Sequence, residues 1–164
     1  MSIIQANQEK YEFFWNGPFS QWFKSIFTVQ GTKYNCAEQY MMHQKALLFG
    51  DYEIAKLIME VGYNPREQKA LGRKVRGFDA DVWNARAKFL VKKGNHAKFT
   101  QNEDLMKELM ATGKKIIVEA SPYDRIWGIG LNEHDALRTP VENWRGTNWL
   151  GEVLTELRDE FAGA

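Results

Sequence analysis

The segment of residues 34–46 is the starting point for interpreting this chain, and it reads Tyr34-Asn35-Cys36-Ala37-Glu38-Gln39-Tyr40-Met41-Met42-His43-Gln44-Lys45-Ala46. Asn35 has the side chain of a helix N-cap, and Glu38 follows three residues later, where the acid of a capping box lies. No proline or glycine occurs before Gly50. The sequence therefore predicts a helix from about Cys36 to Phe49.

This predicted helix carries two distinct faces. One is a buried stripe with helical spacing, formed by Ala37, Tyr40, Met41, Gln44 and Leu48. An adjoining face holds Glu38 and Lys45, two turns apart and about 10 Å along the axis at 1.5 Å per residue. That separation is too long for a direct ion pair within the helix, but both groups can reach one ligand between them. The structural alternative is that Glu38 caps the helix and Lys45 extends to water.

The composition is that of a globular protein. The 164 residues are 44% hydrophobic and 26% charged, so we expect a single domain over residues 1–164. A net charge of +1 does not require nucleic acid or a membrane as a partner. The N-terminus lacks an apolar targeting segment, and no apolar run has the length of a membrane span.

The single cysteine and the three histidines bear on the expected cellular location and on the expectation of a metal site. Cys36 is the one cysteine, which excludes an intramolecular disulfide and favours a reducing, cytoplasmic location. His43, His96 and His134 are far apart and lack the spacing of metal ligands. We therefore expect neither a metal nor another cofactor.

Local patterns predict a mainly α, multihelical fold with a small β-sheet or hairpin. Short strands are expected at 11–15, 25–29 and 33–34, and a stronger strand at 115–120. Further helices are expected to restart at Gly50-Asp51 and to follow the capping residues Asn64, Asp79, Asn102 and Asn148. Gly94 is expected to end or bend the helix that follows Asp79, with a turn at 96–100. Residues 132–147 are expected to be irregular.

The loop 121–131 is a second candidate for function, because loops held between rigid elements often carry it. It contains Asp124 and Trp127, and its glycines at 128 and 130 let a backbone approach a ligand closely. Glycosidic cleavage requires two acids, one acting at the sugar and the other on the leaving group's proton. Glu38 and Asp124 form the best such pair. The alternatives are an ordinary turn residue at Asp124 and a core residue at Trp127.

A basic run at 72–76, Gly72-Arg73-Lys74-Val75-Arg76, is a candidate phosphate site. It places guanidinium groups near a helix end, and guanidinium groups bind phosphate through paired hydrogen bonds. Solvated surface charge is the alternative, and it is the favoured interpretation of Lys74.

An ordered set of short motifs resembles the YbiA-like, or NADAR, family. The set comprises Gly17-Pro18-Phe19-Ser20, Tyr34, Glu38, Gln44-Lys45, Gly72-Arg73, Trp83, Lys98-Phe99, Trp127-Gly128, Asn148-x-x-Gly151 and Leu157-Arg158. It extends over nearly the whole chain. The resemblance implies a YbiA-like single domain that acts as an N-glycosidase on N-ribosyl compounds.

The resemblance also implies the substrate classes. Family members hydrolyse the N-glycosidic bond of early riboflavin-pathway intermediates, releasing ribose 5-phosphate from phosphoribosylamino-pyrimidines. Others are thought to act on ADP-ribose attached to nucleobases, so nucleic acid is expected only as a modified substrate. A non-catalytic module that binds ADP-ribose or NAD is a third alternative.

Roles for individual residues follow from the matching motifs. Glu38 is implied as the acid or base, and Lys45 as a nucleophile that forms a Schiff base or as an electrostatic group. Asp124, just before the Trp127-Gly128 motif, would protonate the leaving group. The implied substrate-binding residues are Arg73, Trp83, Trp127, Gly128 and Gln44.

Overall fold

Eight α-helices and four short strands make up the computed structural model, which describes residues 1–163. In chain order they are α1 (Ile3–Lys10), β1 (Tyr11–Phe14), β2 (Phe27–Val29), β3 (Thr32–Tyr34), α2 (Ala37–Leu48), α3 (Tyr52–Glu60), α4 (Pro65–Gly72), α5 (Ala80–Thr100), α6 (Glu103–Ala111), β4 (Ile116–Glu119), α7 (Glu133–Leu137), a 3-10 helix (Val141–Asn143) and α8 (Trp149–Gly163). The mainly helical class predicted from the sequence is confirmed.

The chain divides into two compact units. The central unit is continuous in sequence and comprises Gln21–Met106. The terminal unit combines residues 1–20 with the chain from Lys107 onward. The single domain expected over residues 1–164 stays a prediction.

Helix α2 is the centre of the central unit, where it packs against α3, α4 and α5. The antiparallel hairpin of β2 and β3 pairs Phe27 with Tyr34. These two rings pack with Tyr40 of α2 and Ala97 of α5 in one buried cluster. The hairpin therefore covers one side of the α2–α5 pair.

Helix α5 runs unbroken through Gly94, so the expected end or bend at this glycine is wrong, as is the turn expected at 96–100. A Cβ placed on Gly94 would lie only 2.5 Å from Cδ2 of Tyr40. Tyr40 is fully buried, and its ring occupies the space that a side chain would need. Gly94 thus permits close packing of α5 on α2.

The terminal unit is built on two parallel strands from distant parts of the chain. β1 pairs with β4 in the register Tyr11 with Ile116 to Phe14 with Glu119. Helix α8 packs against β4, and α1 packs against α7. Its buried cluster consists of Tyr11, Val118, Ile129, Leu131 and Ala136.

Short helices in the terminal unit correct the expected irregular segment 132–147. Helix α7 begins after Asn132, whose side chain accepts a hydrogen bond from the Asp135 N–H at 2.8 Å. The 3-10 helix follows within the same segment. Elements this short cannot show a hydrophobic period, which is why the sequence pattern missed them. Within residues 1–163, none of the helices has the length and apolarity that a membrane span requires.

Candidate active site

The start of α2 is capped differently from the expectation. Cys36, rather than Asn35, is the N-cap residue. The Asn35 N–H donates to Oε1 of Gln39 at 2.9 Å, while Asn35 Oδ1 accepts from Nε2 of Gln68 at 3.1 Å. The capping box drawn from Asn35 and Glu38 is therefore wrong, because the Gln39 side chain satisfies this N–H.

Glu38 lies in the first turn of α2 and is only 6% exposed. Its backbone N–H donates to the Gln21 carbonyl at 2.9 Å, which fixes the start of the helix to the preceding loop. The positive end of the helix dipole favours a carboxylate at this position. A buried acid at a helix N-terminus can both hold a negative charge and exchange a proton with a bound ligand.

Lys45 lies two turns along the same helix, among aromatic rings. Its Nζ is 4.7 Å from the ring centroid of Phe78 and 6.0 Å from that of Trp83. Burial lowers the pKa of the Lys45 amine; the nearby charge of Glu38 raises that pKa, and the charge of Arg73 lowers it. Four of the residues predicted from sequence, Glu38, Lys45, Arg73 and Trp83, are thus brought to one place.

Helices α4 and α5 bring Arg73 and Trp83 to this place. The end of α4 approaches α2 so closely that a Cβ on Gly72 would lie 2.0 Å from the Met42 sulfur. Arg73 follows directly as the C-cap residue and is exposed. Asp79 caps α5 by accepting from the Asp81 and Val82 N–H groups, so Trp83 falls in its first turn and is largely buried.

Phe78 is a site residue that the sequence interpretation missed. It lies in the loop between α4 and α5, is 47% exposed and packs edge-on against Phe49 at 5.4 Å. The signal in the sequence that could have identified it is a phenylalanine directly after Gly77 in a polar loop. Arg76, part of the predicted phosphate run, donates to Asp51 and Glu53. Arg73 therefore remains as the guanidinium available for a phosphate.

Gln44 belongs to a hydrogen-bonded cluster around Tyr34. Its Nε2 donates to the Tyr34 hydroxyl at 3.4 Å, and this hydroxyl lies 2.8 Å from Nδ1 of His43. Burial lowers the pKa of His43. Gln44 is about 100° around the helix from Lys45, given 3.6 residues per turn. Its contact with a substrate stays a prediction.

Asp124, Trp127 and Gly128 lie in the terminal unit, where each helps to build its loop. Asp124 Oδ1 accepts from the N–H groups of Ile126 at 2.9 Å and Trp127 at 2.8 Å, as in an Asx turn. Trp127 packs edge-on against Trp149 at 5.5 Å. A Cβ on Gly128 would lie 3.0 Å from the carbonyl oxygens of Asp124 and Glu119. Their substrate contacts, and the pairing of Asp124 with Glu38, stay predictions.

Asn148 supports this loop instead of capping α8 with its side chain as expected. With a φ of 55°, it directs its side chain to β4, accepting from the Glu119 N–H and donating to the Ile117 carbonyl, each at 3.0 Å. Its own N–H donates to the Gly128 carbonyl at 3.0 Å. A Cβ on Gly151 would lie 2.1 Å from the Ile117 oxygen, so the Asn148-x-x-Gly151 motif serves close packing on β4.

Residues 1–163, the described part of the chain, contain His, Cys, Asp and Glu side chains, which are common metal ligands. No group of three or more His, Cys, Asp or Glu side chains there is arranged to hold a metal ion.

Comparisons with known proteins give the same picture. The family model described as the NADAR domain matches residues 11–162. N-glycosidase R617 of Acanthamoeba polyphaga mimivirus is 48% identical over 147 residues, which cover 87% of this chain and 86% of that protein. N-glycosidase Npun_R5314 of Nostoc punctiforme is 30% identical over 146 residues, covering 88% and 85%. The NMR structure of Escherichia coli YbiA has a TM-score of 0.76 at 26% identity, covering 93% of this chain and 85% of that one.

The fold and these relatives define a hydrolase that acts on N-glycosyl compounds. The chain belongs to the NADAR family. The resemblance and the enzyme class inferred from the sequence are confirmed, and the non-catalytic binding module gives way to an N-glycosidase.

Proposed function

We propose that this N-glycosidase hydrolyses the N-glycosidic bond of phosphoribosylamino-pyrimidine intermediates of riboflavin biosynthesis, releasing ribose 5-phosphate and the free pyrimidine. The observation that carries the proposal is the position of the Lys45 amine, beside the rings of Phe78 and Trp83 and under the influence of Glu38 and Arg73. These side chains supply an amine, an acid, a cation for a phosphate and flat surfaces for a base.

A covalent route uses Lys45 as the nucleophile. Attack on a sugar carbon requires a neutral amine, and burial lowers the pKa of Lys45 in that direction. Nζ bonds to C1′ as the bond from C1′ to the pyrimidine nitrogen breaks. Glu38 accepts a proton from Nζ, and Asp124 protonates the leaving nitrogen. Glu38 then gives its proton to the ring oxygen as the bond from C1′ to that oxygen breaks, which leaves a Schiff base between Nζ and C1′. Water then adds to C1′ and releases ribose 5-phosphate, which regenerates the amine of Lys45.

A direct route uses Glu38 alone as the base. Its carboxylate takes a proton from water, the water oxygen bonds to C1′, and the pyrimidine nitrogen leaves with a proton from Asp124. Lys45 then has an electrostatic role and positions the phosphate or the sugar oxygens. In both routes Arg73, exposed at the end of α4, binds the phosphate by paired hydrogen bonds.

A mass-spectrometric turnover assay, with and without borohydride, tests this proposal. The substrates are a 5-phosphoribosylamino-pyrimidine and an oligonucleotide carrying ADP-ribosylated guanine. We expect release of the free pyrimidine, and we expect Glu38→Gln to lower kcat by roughly 10²- to 10⁴-fold because a positioned proton-transfer group is lost. Borohydride should trap an adduct in wild type that is absent from Lys45→Ala.

Lys56→Ala is the matched control, because Lys56 lies exposed on α3 beside Glu60. Turnover without a trapped adduct would select the direct route. Release of base from the oligonucleotide alone would replace the substrate class by ADP-ribosylated nucleobases. Full activity in a folded Glu38→Gln variant, or no release from either substrate, contradicts the proposal.

A further inference from the structure

The exposed loop between α4 and α5, residues 73–79, is attached to the start of α3 by charge-assisted hydrogen bonds. Asp51 Oδ2 accepts from the backbone N–H of Arg76 at 2.9 Å and from its Nε at 3.2 Å, while Oδ1 accepts from a guanidinium NH₂ at 2.9 Å. Glu53 Oε2 accepts from the same NH₂ group at 3.0 Å. We call this arrangement the Arg76–Asp51 clamp.

The Asp51 carboxylate of the clamp has two structural roles. Its side chain is only 1% exposed, and Oδ1 also caps α3 by accepting from the Ile54 N–H at 3.2 Å. Arg76 holds the pKa of Asp51 well below its usual range. Paired hydrogen bonds to a buried carboxylate fix both the direction and the position of the guanidinium.

The residue that this clamp positions is Phe78, two places further along the chain. Gly77, with a φ of 77°, turns the backbone between them. The centroid of the Phe78 ring lies 5.4 Å from that of the Phe49 ring and 4.7 Å from Nζ of Lys45. Because nearly half of this side chain is exposed, core packing alone does not fix its position.

We propose that Phe78 is a positioning residue of the active site, and that the Arg76–Asp51 clamp holds its ring over the Lys45 amine. The inference rests on the proposed function, in which Lys45 is the reacting amine or the electrostatic group. The ring attracts the ammonium form, restricts the lysine side chain and excludes water from one side of its Nζ. Arg76, first considered for phosphate binding, therefore acts through Phe78.

The charges near Lys45 determine the expected effect of removing the ring. Glu38 acts on the amine from α2 and Arg73 from the end of α4, whereas α5 presents the Trp83 ring. Burial is the largest influence on the pKa of Lys45. Phe78→Ala lets water reach the amine, which raises the pKa of Lys45, and removes the attraction of the ring for the ammonium form, which lowers it. Because burial is the larger influence, we expect a net rise in this pKa.

Competitive acetylation measures this shift without a substrate. The labelling rate of Lys45 is followed against pH by peptide mass spectrometry in wild type, Phe78→Ala and Phe78→Tyr. The tyrosine variant keeps a ring and should recover most of the change. Phe89→Ala is the matched control, because Phe89 is an exposed phenylalanine of α5 that packs beside Arg86. An unchanged pKa of Lys45 in Phe78→Ala overturns the inference.

Kinetics test the clamp itself. We expect Phe78→Ala to lower kcat roughly 10- to 100-fold with a smaller change in KM, because the Lys45 amine is no longer held in its reacting position. Arg76→Gln should give part of this loss. Arg76→Lys should give a smaller part, because lysine keeps the charge but cannot reproduce the paired hydrogen bonds. The double variant should be no slower than Phe78→Ala alone. Losses that multiply would overturn the role of the clamp.

The two proposals fail in distinguishable ways. If wild type releases no base from either substrate while the pKa of Lys45 rises in Phe78→Ala, the proposed function is wrong and the positioning of the amine stands. If wild type releases the pyrimidine but the pKa of Lys45 and kcat are both unchanged in Phe78→Ala, the positioning role is wrong and the proposed function stands.

Discussion

Two lysines of the central unit differ in how their surroundings affect the amine. Lys45 is partly buried and faces aromatic rings at the candidate site. Lys98 of α5 is completely buried, with its Nζ 5.1 Å from the ring centroid of Phe99. Burial lowers the pKa of Lys98 to about 7. A lysine so enclosed links protein stability to pH.

The stability of the protein should therefore rise between pH 7 and pH 9. Unfolding returns Lys98 from a pKa of about 7 toward 10.5, so the unfolded chain binds more protons in this range. Cys36, whose pKa is raised from 9.0 to about 11, acts in the opposite direction above pH 9. We expect the free energy of unfolding, measured with urea, to increase by about 1 kcal/mol per pH unit.

Lys98→Met removes the titrating group and should flatten this dependence, whereas Lys56→Met on the exposed face of α3 should retain it. A wild-type free energy of unfolding that is constant from pH 7 to pH 9 would show that Lys98 is not held with a lowered pKa.

At the scale of elements, the contact between α5 and α2 depends on the missing side chain of Gly94. Alanine favours helices over glycine by about 1 kcal/mol, so helix propensity alone predicts that Gly94→Ala stabilises the protein. The packing predicts the reverse, because the added Cβ would lie 2.5 Å from the buried Tyr40 ring. We expect a net loss of about 1–3 kcal/mol in the free energy of unfolding.

Chemical denaturation of Gly94→Ala measures this loss. Gly163→Ala is the control, because Gly163 ends α8 and a Cβ there meets no atom within 4 Å. A stabilised Gly94→Ala variant would mean that Tyr40 moves aside at little cost.

At the scale of the whole molecule, both chain ends contribute to one unit. The boundary between the units falls between Met106 and Lys107, inside α6. Separate unfolding of the units would break the hydrogen bonds of this helix at its middle, which is unfavourable because helix formation is cooperative. We therefore predict that residues 1–164 unfold as one domain in a single transition. Coincident urea curves from tryptophan fluorescence and far-UV circular dichroism would support this, and two separated transitions would contradict it.

Several elements could be predicted from the sequence because their causes are local. Asn64 with Pro65 predicted the start of α4, and Asp79 predicted the start of α5; the structure confirms both caps. The strand at β4 followed from a run of branched residues. Its parallel pairing with β1 did not, because strand pairing depends on contacts between distant segments.

For the candidate site, the sequence indicated individual residues but not the side chains that surround them in the fold. Glu38 and Lys45 were found because helical spacing and the family motifs indicate them. Phe78 was missed, and Arg76 was considered for a phosphate, because the partner of Arg76 is Asp51, which lies on a separate helix start. No spacing rule connects these two residues.

The sequence by itself determined the helical class, most helix starts and the family, since capping, periodicity and ordered motifs are properties of neighbouring residues. The tertiary structure alone decided that Gln39 closes the start of α2, that Gly94 lies inside a helix and that Phe78 covers Lys45. The physical reason is that burial, close packing and charge pairing depend on which distant residues become neighbours once the chain is folded.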